Sequence, residues 1–115
     1  MKKLDIDDAL KALSALAGKS RLDAFRLLVA AGAQGMAAGA IADALAIPQN
    51  TLSAHLAILT NAGLIVSRRV GRSIIYRVDF KKVRALLAFL LEDCCQGRPE
   101  VCAPLLAAAV PGCCA

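Results

Sequence analysis

Residues 45–79 read LAIPQNTLSAHLAILTNAGLIVSRRVGRSIIYRVD, and the period of the apolar residues changes once within them. Up to Gly63 the period is helical. Leu52, Leu56 and Leu59 recur at three- and four-residue spacing behind Pro48, a residue suited to the opening of a helix, and Gly63 is the expected cap at its end. After Gly63 the pattern becomes that of strands. Leu64 to Arg69 and Ile74 to Asp79 read as two strands joined by a turn at Val70-Gly71-Arg72-Ser73, which makes a hairpin.

Working outward, Ile6, Leu10, Leu13 and Ala17 repeat at helical spacing and Gly18 stops that first helix. Ser20-Arg21-Leu22-Asp23 has the capping-box pattern, so a second helix is expected from Arg21 to about Ala31, broken by Gly32 and Gly35. A short third helix follows from about Ala37 to Leu45. Beyond the hairpin, Asp79 reads as the N-cap of a last helix whose Val83, Leu86, Leu87 and Leu90 share a face. The expected order is ααααββα, a mainly α domain over residues 1–95, with a cysteine-containing tail over 96–115.

The composition agrees. A 58% hydrophobic chain of 115 residues supports one packed core, and with aromatics at only 3% that core must come from Ala and Leu, both good helix formers. The net charge is +5, unevenly placed. No Lys or Arg falls between Arg26 and Arg68; then come Arg68, Arg69, Arg72, Arg77, Lys81, Lys82 and Arg84, with Asp79 the only acid among them. A cluster of this kind points to phosphate or another acidic surface. A short helix, a tight turn, a second helix and a hairpin with a basic tip make the winged helix-turn-helix plan. The fourth helix can offer its N-terminal side chains to base edges in a major groove of double-stranded DNA, and the hairpin can straddle phosphates. Arg68, Arg69 and Arg72 are expected to supply most of the affinity, Arg77 and Lys81 to be solvated.

The stretch Leu45 to Ile65, with Arg68-Arg69-Val70-Gly71-Arg72 and Tyr76, closely resembles the ArsR/SmtB family of dimeric, metal- and metalloid-sensing bacterial repressors. Thr51-Leu52-Ser53, His55-Leu56, Ala62-Gly63-Leu64 and Gly71-Arg72 carry the likeness, which covers roughly residues 5 to 95. The resemblance implies a homodimer through the first and last helices, and groove-facing Gln49, Asn50, Thr51, Ser53 and His55. The sequence departs from the family pattern at Ala46, where a Gly is usual, and at Ala54, where His or Arg is frequent. His55 is the only histidine, so no common zinc site can be built around it; a phosphate contact or a packing role is expected.

All five cysteines lie in the last 22 residues: Cys94, Cys95, Cys102, Cys113 and Cys114. Gln96-Gly97-Arg98-Pro99 breaks the last helix, so Cys102 can return toward the Cys94–Cys95 pair. Three soft thiols suit a soft, three-coordinate centre, and As(III) or Sb(III) is such a centre. The resemblance sharpens this. Arsenic-sensing members often carry a cysteine pair in the third helix, absent here, while others hold a thiol site at the end of the last helix. The zinc site of other members would start at Asp79, but Lys81 replaces a ligand and no His follows. Cys113 and Cys114, past Pro111-Gly112, are expected to be dispensable. Disulfide-based redox sensing is the rival use of these thiols, and a metalloid carrier a more distant one.

The sequence therefore points to an As(III)- or Sb(III)-responsive repressor with no organic cofactor. No nucleophile–base or carboxylate pair suggests an enzyme. Met1-Lys2-Lys3-Leu4-Asp5 runs into acids without an apolar leader, and the run Val101–Val110, interrupted by Pro104, is about half a membrane span. A cytoplasmic location and no membrane partner are expected.

Overall fold

A computed structural model describes residues 4–91. The elements are α1 (Ile6–Leu16), α2 (Lys19–Ala31), a 3-10 turn (Gly32–Gln34), β1 (Met36–Ala37), α3 (Ala38–Leu45), α4 (Gln49–Asn61), β2 (Ile65–Val70), β3 (Ser73–Val78) and α5 (Phe80–Leu91). This is the expected mainly α winged helix-turn-helix, with one strand more than the sequence suggested. β1 pairs antiparallel with the free edge of β3, Met36 opposite Tyr76, so the sheet is three-stranded in the order β1-β3-β2. The strand is short enough that no alternation marks it; it forms because β3 offers unpaired backbone groups there.

The core gathers Leu28 of α2, Ile41 of α3, Leu52, Leu56 and Leu59 of α4, and Leu64, Ile65 and Val78 at the base of the hairpin. Among the described residues no polar or charged side chain is fully buried. The apolar stripe read on α4 is thus the one that enters the core.

The stripe read on α1 does not. Ile6, Leu10 and Leu13 are exposed, and α1 instead buries Ala9, Ala12 and Ala15. Their single methyls let α1 pack closely on the domain while the bulkier face stays outside. On α5 the expected face divides in the same way: Leu86 is buried and Val83 packs on the core, but Leu87 and Leu90 are exposed.

The capping box at Ser20 is not formed. Gly18, in extended backbone, caps α2 without a side-chain bond, so the helix starts at Lys19 and Ser20 lies inside it. Asp23 pairs with Lys19 at 2.8 Å. Arg21 reaches back over Gly18, its Nε donating to the Ala15 carbonyl at 2.7 Å, and so satisfies a free acceptor at the end of α1. Asp79 does cap α5, its Oδ1 accepting from the Lys81 and Lys82 amides at 3.2 and 3.4 Å.

The link between α3 and α4 keeps the shape a glycine would favour, although Ala46 occupies it. Ala46 sits in the left-handed region at φ 56°, ψ 43°, with its N–H on Asp43 and the Ile47 N–H on the Ala42 carbonyl. The same double bonding closes α4 through Gly63 and Leu64. Left-handed backbone costs an L-residue roughly 1–2 kcal/mol, part of which a glycine returns through its freer unfolded chain. Gly39 within α3 is the reverse case, since a Cβ there meets nothing within 4 Å. Ala46→Gly and Gly39→Ala should therefore each stabilise by about 0.5–1 kcal/mol. Together they should raise the melting temperature by roughly 4–8 °C or more, as thermal denaturation would show.

Candidate nucleic-acid interface

The helix-turn-helix is α3, the tight link through Ala46 and Ile47, and α4. With Leu52, Leu56 and Leu59 fully buried, α4 is locked in rotation about its own axis, and that fixes which side chains face outward. Gln49, Asn50, Thr51 and Ser53 are all exposed in its first turns. Asn50 Oδ1 accepts from the Thr51 amide at 3.0 Å, and the Ser53 hydroxyl donates to the Gln49 carbonyl at 3.0 Å. Both bonds are local helix-end chemistry, and the Asn50 amide nitrogen and the Thr51 hydroxyl stay available to a ligand.

His55 is placed differently from the other four. It is half-buried on the flank of the leucine stripe, and its Nδ1 is buried with no hydrogen-bond partner. On the other side of the helix, Ala54, Ala57, Ile58 and Asn61 are exposed. Three of these four carry no polar side chain, and the helical period counted from Leu52 places all four on this face.

The short link Ala62-Gly63-Leu64 carries the chain from α4 into the hairpin. Ile65 and Val78, both buried and opposite each other, anchor its base. Pairing runs up to Val70 opposite Ser73, which leaves Gly71-Arg72 as the two central residues of the expected Val70–Ser73 turn. Gly71 has φ +62° and Arg72 does not share the positive sign, the pattern of a type II′ turn, which suits the twist of a hairpin. Arg72 is therefore held at the extreme tip.

Strand parity separates the two arginines adjacent in sequence. Arg69 lies opposite Ile74 on one face of the hairpin, while Arg68 lies opposite Ile75 on the other. Arg77, opposite Val66, shares the Arg68 face, and all three side chains are exposed. The wing thus carries two guanidiniums on one face, one on the other and one at its tip, with exposed Val70 and Ile74 between them.

Among the described residues no group of three or more His, Cys, Asp or Glu stands together as a metal site, and Asp79 is committed to capping α5. No helix there is long and apolar enough to cross a membrane. Cys94, Cys95, Cys102, Cys113 and Cys114 lie outside the described residues.

Comparison with known proteins bears on this architecture. A family model described as a helix-turn-helix domain matches residues 16–68. A homodimeric winged helix-turn-helix DNA-binding domain from Mycobacterium bovis, described as a possible ArsR-family transcriptional regulator, is 32% identical, with a TM-score of 0.63 over 90% of this chain and 85% of its own. The chain belongs to the ArsR family.

Other solved structures agree in outline. HlyU from Vibrio cholerae is 28% identical, with a TM-score of 0.62 over 78% of this chain and 95% of its own. A possible transcriptional regulator for arsenical resistance, 24% identical, shares the fold with a TM-score of 0.63 over 82% and 95%. No curated protein matches. As an ArsR-family transcriptional regulator, the chain uses the winged helix-turn-helix as its DNA-binding domain. Its two departures from the family pattern have different weights: Ala46 leaves the turn intact, whereas Ala54 puts a methyl on the exposed face of α4.

Proposed function

We propose that this ArsR-family regulator is a homodimeric repressor that holds operator DNA with α4 and the wing and releases it when As(III) or Sb(III) binds Cys94, Cys95 and Cys102. The observation that supports the DNA arrangement is the exposed, uncharged N-terminal half of α4 followed at once by a hairpin with arginines at its tip and on both faces. Gln49, Asn50, Thr51 and Ser53 reach base edges, His55 supports a phosphate contact from the flank, and Arg68, Arg69 and Arg72 take phosphates.

Dimerisation is supported by Ile6, Leu10 and Leu13 on α1 and Leu87 and Leu90 on α5, large apolar side chains left exposed on two helices that touch each other. A patch of this kind on one protomer is the ordinary sign of an interface. The Mycobacterium bovis relative is itself homodimeric. A twofold dimer presents two copies of α4 to an imperfect palindrome.

The inducer reading is carried by the sequence: five thiols gathered beyond α5 and none in α3. A three-thiolate donor set suits a soft trivalent centre. Cys94 follows Leu91 of α5 by three positions, so closing Cys102 onto the pair acts on the end of the dimerisation helix and tilts the two copies of α4 out of register with successive grooves. Moving an operator from about 99% bound to mostly free needs several kcal/mol of coupling.

The test is an operator-binding titration with As(III), Sb(III), Zn(II) and peroxide. As(III) and Sb(III) should release DNA, while Zn(II) and peroxide should not. Serine at Cys94, Cys95 or Cys102 should leave operator binding intact and abolish release, with double variants no worse than single ones because the three act as one site. Release by peroxide and not by As(III) would establish the redox reading instead.

A further inference from the structure

α4 contains no Lys, Arg, Asp or Glu, and the face turned away from its buried leucines is largely apolar. At about 100° per residue, Asn50, Ala54, Ala57, Ile58 and Asn61 fall opposite Leu52, Leu56 and Leu59. All five remain exposed although α1, α2, α3 and β2 pack on the helix. Ile58, 42% accessible, is the large apolar side chain that α4 leaves in solvent. Thr51 and Ser53 border this ridge, one on each side.

The base edges in a major groove make different demands on such a ridge. Guanine O6 and N7 want the paired donors of Arg or Lys, and cytosine N4 wants a carboxylate; α4 has neither. Adenine takes an amide, which Asn50 supplies. Thymine alone presents an apolar group there, its C5-methyl, and small or branched aliphatic side chains are what that methyl packs against.

We propose that Ala54, Ala57 and Ile58 read thymine 5-methyl groups, so that each operator half-site carries A·T pairs beneath α4. This rests on the DNA-binding reading above and adds to it the chemistry by which sequence is chosen. Ala54, the departure from the family's more polar pattern, is then a substitution of one kind of base reader for another. Excluded water and methyl packing on the ridge add to the specificity of the polar contacts, while the arginines of the wing contribute affinity without sequence preference.

The probe is a duplex selected by the full-length protein from a random-sequence pool, with copies in which deoxyuridine replaces each thymine in turn, symmetrically in both half-sites. Losing one packed methyl weakens binding about fourfold, so a read position should cost roughly 15-fold in the dimer complex. Ile58→Ala, at an exposed position and with a good helix former, should bind the thymine duplex more weakly and no longer distinguish uridine from thymine at its own position. Ala54→Gly should do the same one turn earlier, with its folding checked by melting because glycine weakens a helix. Uridine duplexes bound as tightly as thymine duplexes at every position, with sequence-specific binding intact, would overturn the inference and leave DNA binding standing. No sequence-specific binding by the intact protein would overturn both.

Discussion

Gly35→Ala should cost about 3–4 kcal/mol of stability, a large share of the roughly 5–15 kcal/mol a domain possesses. Two causes add. At φ +70°, ψ −166° the residue lies in a region essentially reserved for glycine, which by itself costs an L-residue roughly 1–3 kcal/mol. A Cβ would also stand 2.3 Å from the Tyr76 carbonyl oxygen and 3.0 Å from its carbon. These are backbone atoms of the central strand and cannot step aside without loosening Met36 from Tyr76 and, through β3, the wing. Gly32 separates the two causes. It has nearly the same backbone, φ 69° and ψ −149°, but a Cβ there meets nothing within 4 Å. Gly32→Ala should thus lose only the conformational part. Urea denaturation of both variants measures the difference, and equal losses would show that close approach to β3 is not what holds Gly35 in place.

That strand, β1, is also where the sequence was least informative. Met36-Ala37 carries no period of its own and owes its existence to an edge that lies some forty positions later in the chain. Local patterning cannot register such a partner. The first helix is legible as a helix, but which of its faces enters the core is not. It has two apolar faces, and the bulkier one, Ile6, Leu10 and Leu13, gives the louder periodic signal. The alanine face that enters the core looks like ordinary helix filler, since alanine is favoured in helices whether buried or not. By contrast, Leu52, Leu56 and Leu59 are legible because most of their neighbours are polar or small, and the change of period after Gly63 locates the hairpin.

The site shows the same division. That α4 and the hairpin form it follows from residue types and spacing alone. Which faces they present does not, because that depends on how α4 is rotated by its buried stripe and on the register of β2 with β3. Arg68 and Arg69 are neighbours in sequence and occupy opposite faces of the wing. His55, expected to contact phosphate or to pack, has its ring half-buried beside the core. Ala54 and Ala57 carry no hydrogen-bonding group, so residue type does not mark the exposed face they share.

The wing supplies the second large effect. Replacing Arg69 and Arg72 together by Ala should weaken operator binding about a thousandfold at 0.15 M salt and flatten its salt dependence. Each arginine that neutralises a phosphate releases counterions worth about 0.9 in the slope of log K against log salt. A dimer carries two copies of each, so the double variant should lose between three and four units of slope, and the loss of affinity should shrink as salt rises toward 1 M. The weakening should be uniform across duplex sequences, because phosphate contacts carry no base information. Folding should be untouched, since both side chains are exposed and neither makes a described hydrogen bond. Arg68→Ala then reports how the hairpin sits. A ribbon inserted between two phosphate strands uses both faces, so this single change should remove a further unit of slope per subunit. A ribbon lying flat on one strand would keep its slope when Arg68 is lost. An unchanged slope in the Arg69 and Arg72 double variant would remove the wing from the interface and leave α4, which has no charge of its own, without a source of affinity.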